Sequence, residues 1–332
     1  MNSSPASLFE RLISRPRPAW VTLGISLLLA LAPLGAVYLD GVLVAAFSQG
    51  YWRVLLAAPV VVIYVLIVSP IMARMDNVAI RAFRPLVPLD DDHFNRLVNE
   101  AARINPIGEA IALGGGILFG VAGGLFWLSG DVGFWLRLYS LLSYSLMFGL
   151  LAWLVYYSLM GTRFFATLHR QPLQIDIFDT RPFEPIGRQS LLVALVFIGG
   201  TTLGMVFGLD PRSILTWQNF VIYIPLWLAP ILIFFLSMLD THRVLATAKN
   251  RELAVVAGHL RAAYRGLLER ISAGESTEAI AAQVNALAVY EERLNAVSAW
   301  PYNTTMLRTL FVSVLIPGGA ALARVFSDTF LK

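Results

Sequence analysis

RVLLAAPVVVIYVLIVSPIMARMDNVAIRAFR, residues 53–84, is the stretch that decides the fold. Between Arg53 and Arg74 no residue is charged. As an α-helix rising 1.5 Å per residue, a run of this length crosses a hydrocarbon core of about 30 Å. Arg74, Arg81 and Arg84 then crowd one end. Apolar length followed by clustered arginine is the pattern of a membrane span leaving on its cytoplasmic side.

Working outward, the same reading places further spans at 19–39, 108–128, 134–161, 190–208, 217–239 and 303–326, seven in all with 53–73. Nineteen of the 25 lysines and arginines fall in the N-terminal tail, 74–107, 162–189 and 240–302, which are alternate connections. The positive-inside rule puts those segments in the cytoplasm, hence the N-terminus inside and the C-terminus outside a cell membrane. Arg11, Arg15 and Arg17 before the first apolar run also suit a secretory signal, but 19–39 is long for one and reads as an uncleaved span. The chain is 57% hydrophobic and 14% charged, against about 45–50% and about 25% for soluble domains. The expected fold class is therefore all-α, a polytopic seven-transmembrane helix bundle with cytoplasmic helical extensions, forming a single membrane domain over 1–332.

The outer connections, such as Ser129-Gly130-Asp131 and Asp210-Pro211-Arg212, are too short to fold as binding domains. The cytoplasmic side is richer. Leu253, Val256, Leu260, Tyr264, Leu267 and Ile271 share one helical face, so the sixth span should run on past Asp240. Gly274 suits a helix end, and Ser276 suits the cap of a following helix with Glu278 in its first turn. That helix carries Ile280, Val284, Leu287 and Leu294 on one stripe. Residues 240–300 thus read as a hairpin before the last span, either self-contained or serving as an oligomerisation platform. The 169–188 segment reads as an extended connection. Its Asp176, Asp179 and Glu184 with His169 suit solvated or arginine-paired charge better than a cation site.

Almost no ionisable residue falls in the middle of a span, which argues against proton or sodium coupling. The chain has no cysteine and no Ser-His-Asp, HExxH or phosphate-loop pattern, so neither an enzyme nor a cofactor, metal or nucleic-acid site is expected. The expected partners are the lipid bilayer and further copies of the chain; the sequence names no ligand. Gly116, Gly120 and Gly124 in the third span, and Gly200, Gly204 and Gly208 in the fifth, read first as close-packing motifs and second as a glycine-lined path. Tyr139, Ser143 and Tyr144 in the fourth span suit a small ligand pocket or interhelical hydrogen bonds. Thr305, Thr309, Ser313, Pro317, Ala320 and Arg324 form a small or polar stripe on the last span. It suits a water-filled axis and a tight bundle equally.

This layout resembles the seven-transmembrane ion-channel superfamily, which includes insect odorant and gustatory receptors and distant microbial relatives. The resemblance lies in span number, orientation, short outer loops and the hairpin before the last span. It implies a homotetramer joined through cytoplasmic helices, with Ser276–Val297 in that role. It also implies a pore lined by Thr304–Phe326 and ligands held in the outer half of the bundle. Arg324 near an outer pore mouth departs from what a cation path favours. The leading expectation is a homo-oligomeric channel-like or sensory protein. The alternatives are a scaffold that docks a cytoplasmic partner through the hairpin, and a passive transporter.

Overall fold

A computed structural model describes residues 18–48, 51–101, 105–127, 133–169, 171, 173, 176–179, 181–208, 217–300 and 303–315. Among them the secondary structure is helical, with no strand. In chain order the helices are α1 (Ala19–Leu39), α2 (Leu43–Ser48), α3 (Trp52–Phe83), α4 (Asp91–Ala101) and α5 (Pro106–Trp127). They continue with α6 (Phe134–His169), α7 (Glu184–Gly208), α8 (Trp217–Ala273), α9 (Glu278–Ala296) and α10 (Thr304–Leu315). Six of them, α1, α3, α5, α6, α7 and α8, contain stretches long and apolar enough to cross a membrane. Of the expected seventh span, 303–326, the described part is α10; Pro317, Ala320 and Arg324 lie outside the described residues.

Hydrogen bonds between distant residues sort the helix ends into two groups. At one end, Asp40 after α1 accepts the backbone N–H groups of Trp135 (3.2 Å) and Leu136 (2.7 Å). Those donors belong to the first turn of α6, where a carboxylate satisfies unpaired N–H groups and suits the helix dipole. Beside it the Tyr139 hydroxyl donates to the Leu55 carbonyl at 2.6 Å, joining the start of α6 to the start of α3. At the other end Tyr156 donates to the carbonyl of Asn105 (3.1 Å), and Tyr157 and Gln189 both reach Asp76. This end gathers the later half of α3, the start of α5, the later half of α6 and the start of α7. Helices α3 and α6 therefore run in one direction, and α5 and α7 in the other.

The core has two main parts. Val61, Val65, Met147, Trp153, Leu154 and Val193 fill the middle of α3, α6 and α7. Phe83, Phe164, Phe183, Phe234, Met238 and Leu310 fill the second end, where α8 and α10 join. Much of the remaining apolar surface faces outward. Of the most apolar stretch in each of the six long helices, only 17–44% is buried.

Several boundaries differ from the sequence expectation, for a common reason. Helix α3 runs ten residues past its expected span, to Phe83, and α7 begins at Glu184, six residues before its own. Hydropathy ends a span where polar residues begin, but helical hydrogen bonding continues wherever side chains still find partners. At the start of α9 the cap position is Thr277 rather than Ser276, and no side-chain cap bond forms there. Thr277 has φ −105° and ψ −4°, away from the extended conformation a capping hydroxyl uses.

Past Leu245, which still packs in the second core, α8 leaves the bundle as an arm. It ends at Gly274, whose φ of +70° is the left-handed turn that glycine adopts at low cost. Helix α9 packs back along it around Val256 and Leu294. Lys249 donates to the carbonyls of Asn295 and Val297, both at 2.8 Å, and so closes the far end of α9. His242 stacks on Trp300 with ring centroids 3.8 Å apart and 8° between planes, which returns the chain to the bundle where α10 starts.

Candidate functional site

The sequence singles out three groups of residues, and the structure places each differently. The Tyr139 and Ser143 hydroxyls both bond to backbone carbonyls, Leu55 for the first (2.6 Å) and Tyr139 for the second (2.7 Å). Tyr144 is half-buried and stacks against Phe148. Tyr139 therefore joins α6 to α3, while the Ser143 bond lies within α6.

On α9, Val284 and Leu294 are buried, and Ile280 and Leu287 half-buried, against the arm of α8. Their stripe is thus occupied within the chain. Other apolar side chains of the hairpin stay exposed, among them Tyr264, Leu268 and Ile271 at the tip of α8, at 47%, 64% and 58%. Tyr264 and Ile271 share the sequence-level stripe of Leu253 and Val256, yet point outward here.

On α10, Met306 and Leu310 are buried and Val314 packs on the core. Thr305 is exposed, and Thr309 and Ser313 partly so. The polar stripe therefore flanks the face by which α10 joins its own bundle. The Thr309 hydroxyl donates to the Thr305 carbonyl at 2.8 Å, which shields that polar group without a second helix.

The most developed polar constellation is one the spans did not single out. Asp76, late in α3, is half-buried, with its carboxylate turned inward among protein atoms. It accepts the Tyr157 hydroxyl at 2.7 Å and the Gln189 amide at 2.9 Å. Tyr157 stacks on Trp153, centroids 5.5 Å apart. The Trp153 indole N–H in turn donates to Glu109 at 2.9 Å. Trp153 and Glu109 are both buried. Two carboxylates are thus joined through an aromatic pair across α3, α5, α6 and α7. Glu109 sits in the first turn of α5, where the helix dipole favours its negative charge. Beside Gln189 lies a small cavity bordered by the hydroxyls of Ser158, Ser190 and Ser237.

Ordinary sequence signals give little notice of this cluster. Asp76 and Tyr157 are 81 positions apart and Asp76 and Gln189 are 113 apart, so no local spacing connects them. The one available hint is that Asp76 and Gln189 lie within one helical turn of the boundary of an apolar run. No cluster of three or more histidines, cysteines or acids arranged for a metal occurs among the described residues. The side chain of His169 lies outside the described residues; Glu184 pairs with Arg188 at 2.8 Å. Asp176 and Asp179 accept backbone N–H groups of their own turn.

Comparison with family models, curated proteins and solved structures finds no match to the chain.

Proposed function

We propose that the chain is a multi-pass protein of the cell membrane, N-terminus cytoplasmic and C-terminus outside, that assembles with copies of itself into a channel-like or sensory complex. Outward-facing apolar surface on six long helices supports the membrane part. In water, each large apolar side chain left exposed forgoes about 1.5–3 kcal/mol of burial, and in lipid that loss vanishes.

The observation that carries the assembly part is on α10. Met306 and Leu310 are taken up by its own bundle, while Thr305, Phe311, Val312 and Leu315 are exposed and Thr309 and Ser313 partly so, which leaves a flank with polar groups for something other than that bundle. A polar flank has no gain against lipid tails, and gains against water or another polar helix. A ring of such flanks around an axis gives a path for small polar species. The exposed Tyr264, Leu268 and Ile271 at the arm tip supply an apolar face by which neighbouring arms can join.

Ser313→Trp tests this reading in reconstituted bilayers. Flux should fall while the assembly keeps its mass in detergent. Unchanged conductance would count against it, as would a monomer by native mass spectrometry. The same arm-tip face also fits a scaffold that docks a cytoplasmic partner, and cross-linking in membranes separates the two: self-products favour a channel, a foreign product a scaffold.

A further inference from the structure

Ile67, Ile71, Arg74, Val78 and Arg81 follow one another at spacings of three or four positions, so they form a single stripe along α3. All five are exposed. The acid nearest to them in sequence, Asp76, belongs to the opposite face, where Tyr157 and Gln189 hold it. Among the described residues neither Arg74 nor Arg81 forms an ion pair, whereas Arg84, Arg188, Arg243 and Arg270 each do. Two guanidinium groups, charged at every physiological pH, therefore stand without a counter-charge among exposed aliphatic side chains.

Helix rise sets their level in the bundle. Asp40 and Leu55 mark the first end, through their bonds to the start of α6. From Leu55 to Arg74 the chain of α3 rises about 28 Å, close to the ~30 Å of a hydrocarbon core. Trp20, at the start of α1, lies about as far from Asp40 and is 75% exposed. An exposed indole and the first arginine thus share the level at which aromatic and basic side chains meet lipid headgroups. Arg81 stands about 10 Å beyond Arg74, at headgroup depth. Helical Cα–Cβ bonds tilt toward the N-terminus, so on α3 both arginines leave the backbone leaning back toward the apolar stretch.

A guanidinium at that depth gains from an anion with two oxygens in its plane, and phosphate supplies them. Free phosphate would neutralise the arginines and leave Ile67 and Ile71 uncovered. A phospholipid meets both needs, its phosphate on the arginines and an acyl chain along the isoleucines. Two cations with no acid beside them favour a headgroup of net negative charge over one whose choline cancels the phosphate. We propose that this face of α3 binds one anionic glycerophospholipid, with its phosphate held by Arg74 and Arg81. The inference rests on the membrane reading above and is independent of whether copies assemble or α10 lines a path.

The test uses the full chain purified in neutral detergent, with phosphatidylglycerol, phosphatidylcholine or inorganic phosphate added. Native mass spectrometry follows retained lipid, and tryptophan fluorescence follows unfolding. One phosphatidylglycerol per chain should survive collision energies that strip phosphatidylcholine. The melting midpoint should rise saturably with phosphatidylglycerol, much less with phosphatidylcholine and not with inorganic phosphate. Arg74→Gln and Arg81→Gln should each raise the half-saturating phosphatidylglycerol concentration about tenfold, the effect of losing one charged contact. Both sites are exposed, so either variant keeps the test available if the other fails to fold. Arg163→Gln, at an exposed site on α6, should leave the titration unchanged. Equal effects of the two lipids would overturn the proposal. So would an equal loss in Arg163→Gln, which would mark a response to overall charge, or an equal rise with inorganic phosphate, which would remove the lipid as occupant. Recovery of the chain in the soluble fraction without detergent would instead refute the membrane reading, and this proposal with it.

Discussion

Gly120→Ala, set against Gly204→Ala, asks whether the α5–α6 contact is as close as the structure draws it. A Cβ on Gly120 would lie 2.5 Å from the Tyr144 carbonyl oxygen and 2.6 Å from the Ser145 Cα. Both are backbone atoms of α6 and cannot swing aside, so the helices must part. A Cβ on Gly204 meets nothing within 4 Å. Alanine is favoured over glycine inside a helix by about 1 kcal/mol, and that gain applies at both sites. Overpacking a close contact typically costs about 1–3 kcal/mol, and that loss applies only at Gly120. The propensity gain cancels in the difference, so Gly120→Ala should be less stable than Gly204→Ala by about 1–3 kcal/mol, toward the upper end because two backbone atoms are involved. The assay is unfolding of the two variants in the same detergent, read by tryptophan fluorescence and by circular dichroism. If Gly120→Ala is as stable as Gly204→Ala, the α5–α6 interface is not closely packed and the placement of Trp153 against Glu109 loses its support.

Trp153→Phe keeps an aromatic ring beside Tyr157 and removes the indole N–H that reaches Glu109, so it should cost about 1–3 kcal/mol, measured by the same unfolding assay; a neutral result would mean that the 2.9 Å bond adds nothing. Leu294→Ala empties a fully buried position between α8 and α9 and should cost about 2–5 kcal/mol locally. Limited trypsin digestion should then cut the arm faster while the bundle persists, and unchanged digestion would show that the hairpin is not held by this contact. A reporter active only in the cytosol should work when fused before Met1 and stay silent when fused after Lys332; activity at the second site would reverse the orientation and remove α10 from the role of a terminal pore helix.

What could be read from the chain alone was whatever each residue shows by itself or with neighbours along one helix. Six long apolar helices follow from run length, and the course of α8 past Asp240 follows from the spacing of Leu253, Val256 and Leu260. The arm tip departs from that spacing. Tyr264 and Ile271 continue the stripe on paper but lie exposed, because a stripe is buried only as far as a partner covers it, and α9 opens opposite the tip with alanines at 279, 281 and 282. The glycine motifs make the same point. Gly116-Gly120-Gly124 and Gly200-Gly204-Gly208 have identical spacing, yet a side-chain carbon at Gly116 or Gly120 would strike the α6 backbone, whereas at Gly204 it would meet open space. Spacing marks which backbone can be approached, and only the neighbouring helix decides whether it is.

The polar cluster around Asp76 was hidden for a deeper reason. Hydropathy weighs each residue against lipid singly, so it ends the second span before Asp76 and starts the fifth at Ser190, and both residues drop out of the search for intramembrane chemistry. The free energy of a polar group inside a bundle is set by its partner, not by its own transfer cost. Asp76 is held because Tyr157 and Gln189 donate to it, and Glu109 because Trp153 does. Each of these residues is unremarkable alone, and each pairing spans at least 44 positions of sequence. Ser190 is the converse case: a residue at ease in an apolar run by composition, but left without a partner once the helices close around it. Boundaries drawn where polarity begins therefore exclude the layer in which these pairings form, since there a carboxylate can be met by donors from neighbouring helices while the apolar stretch beside it remains unbroken.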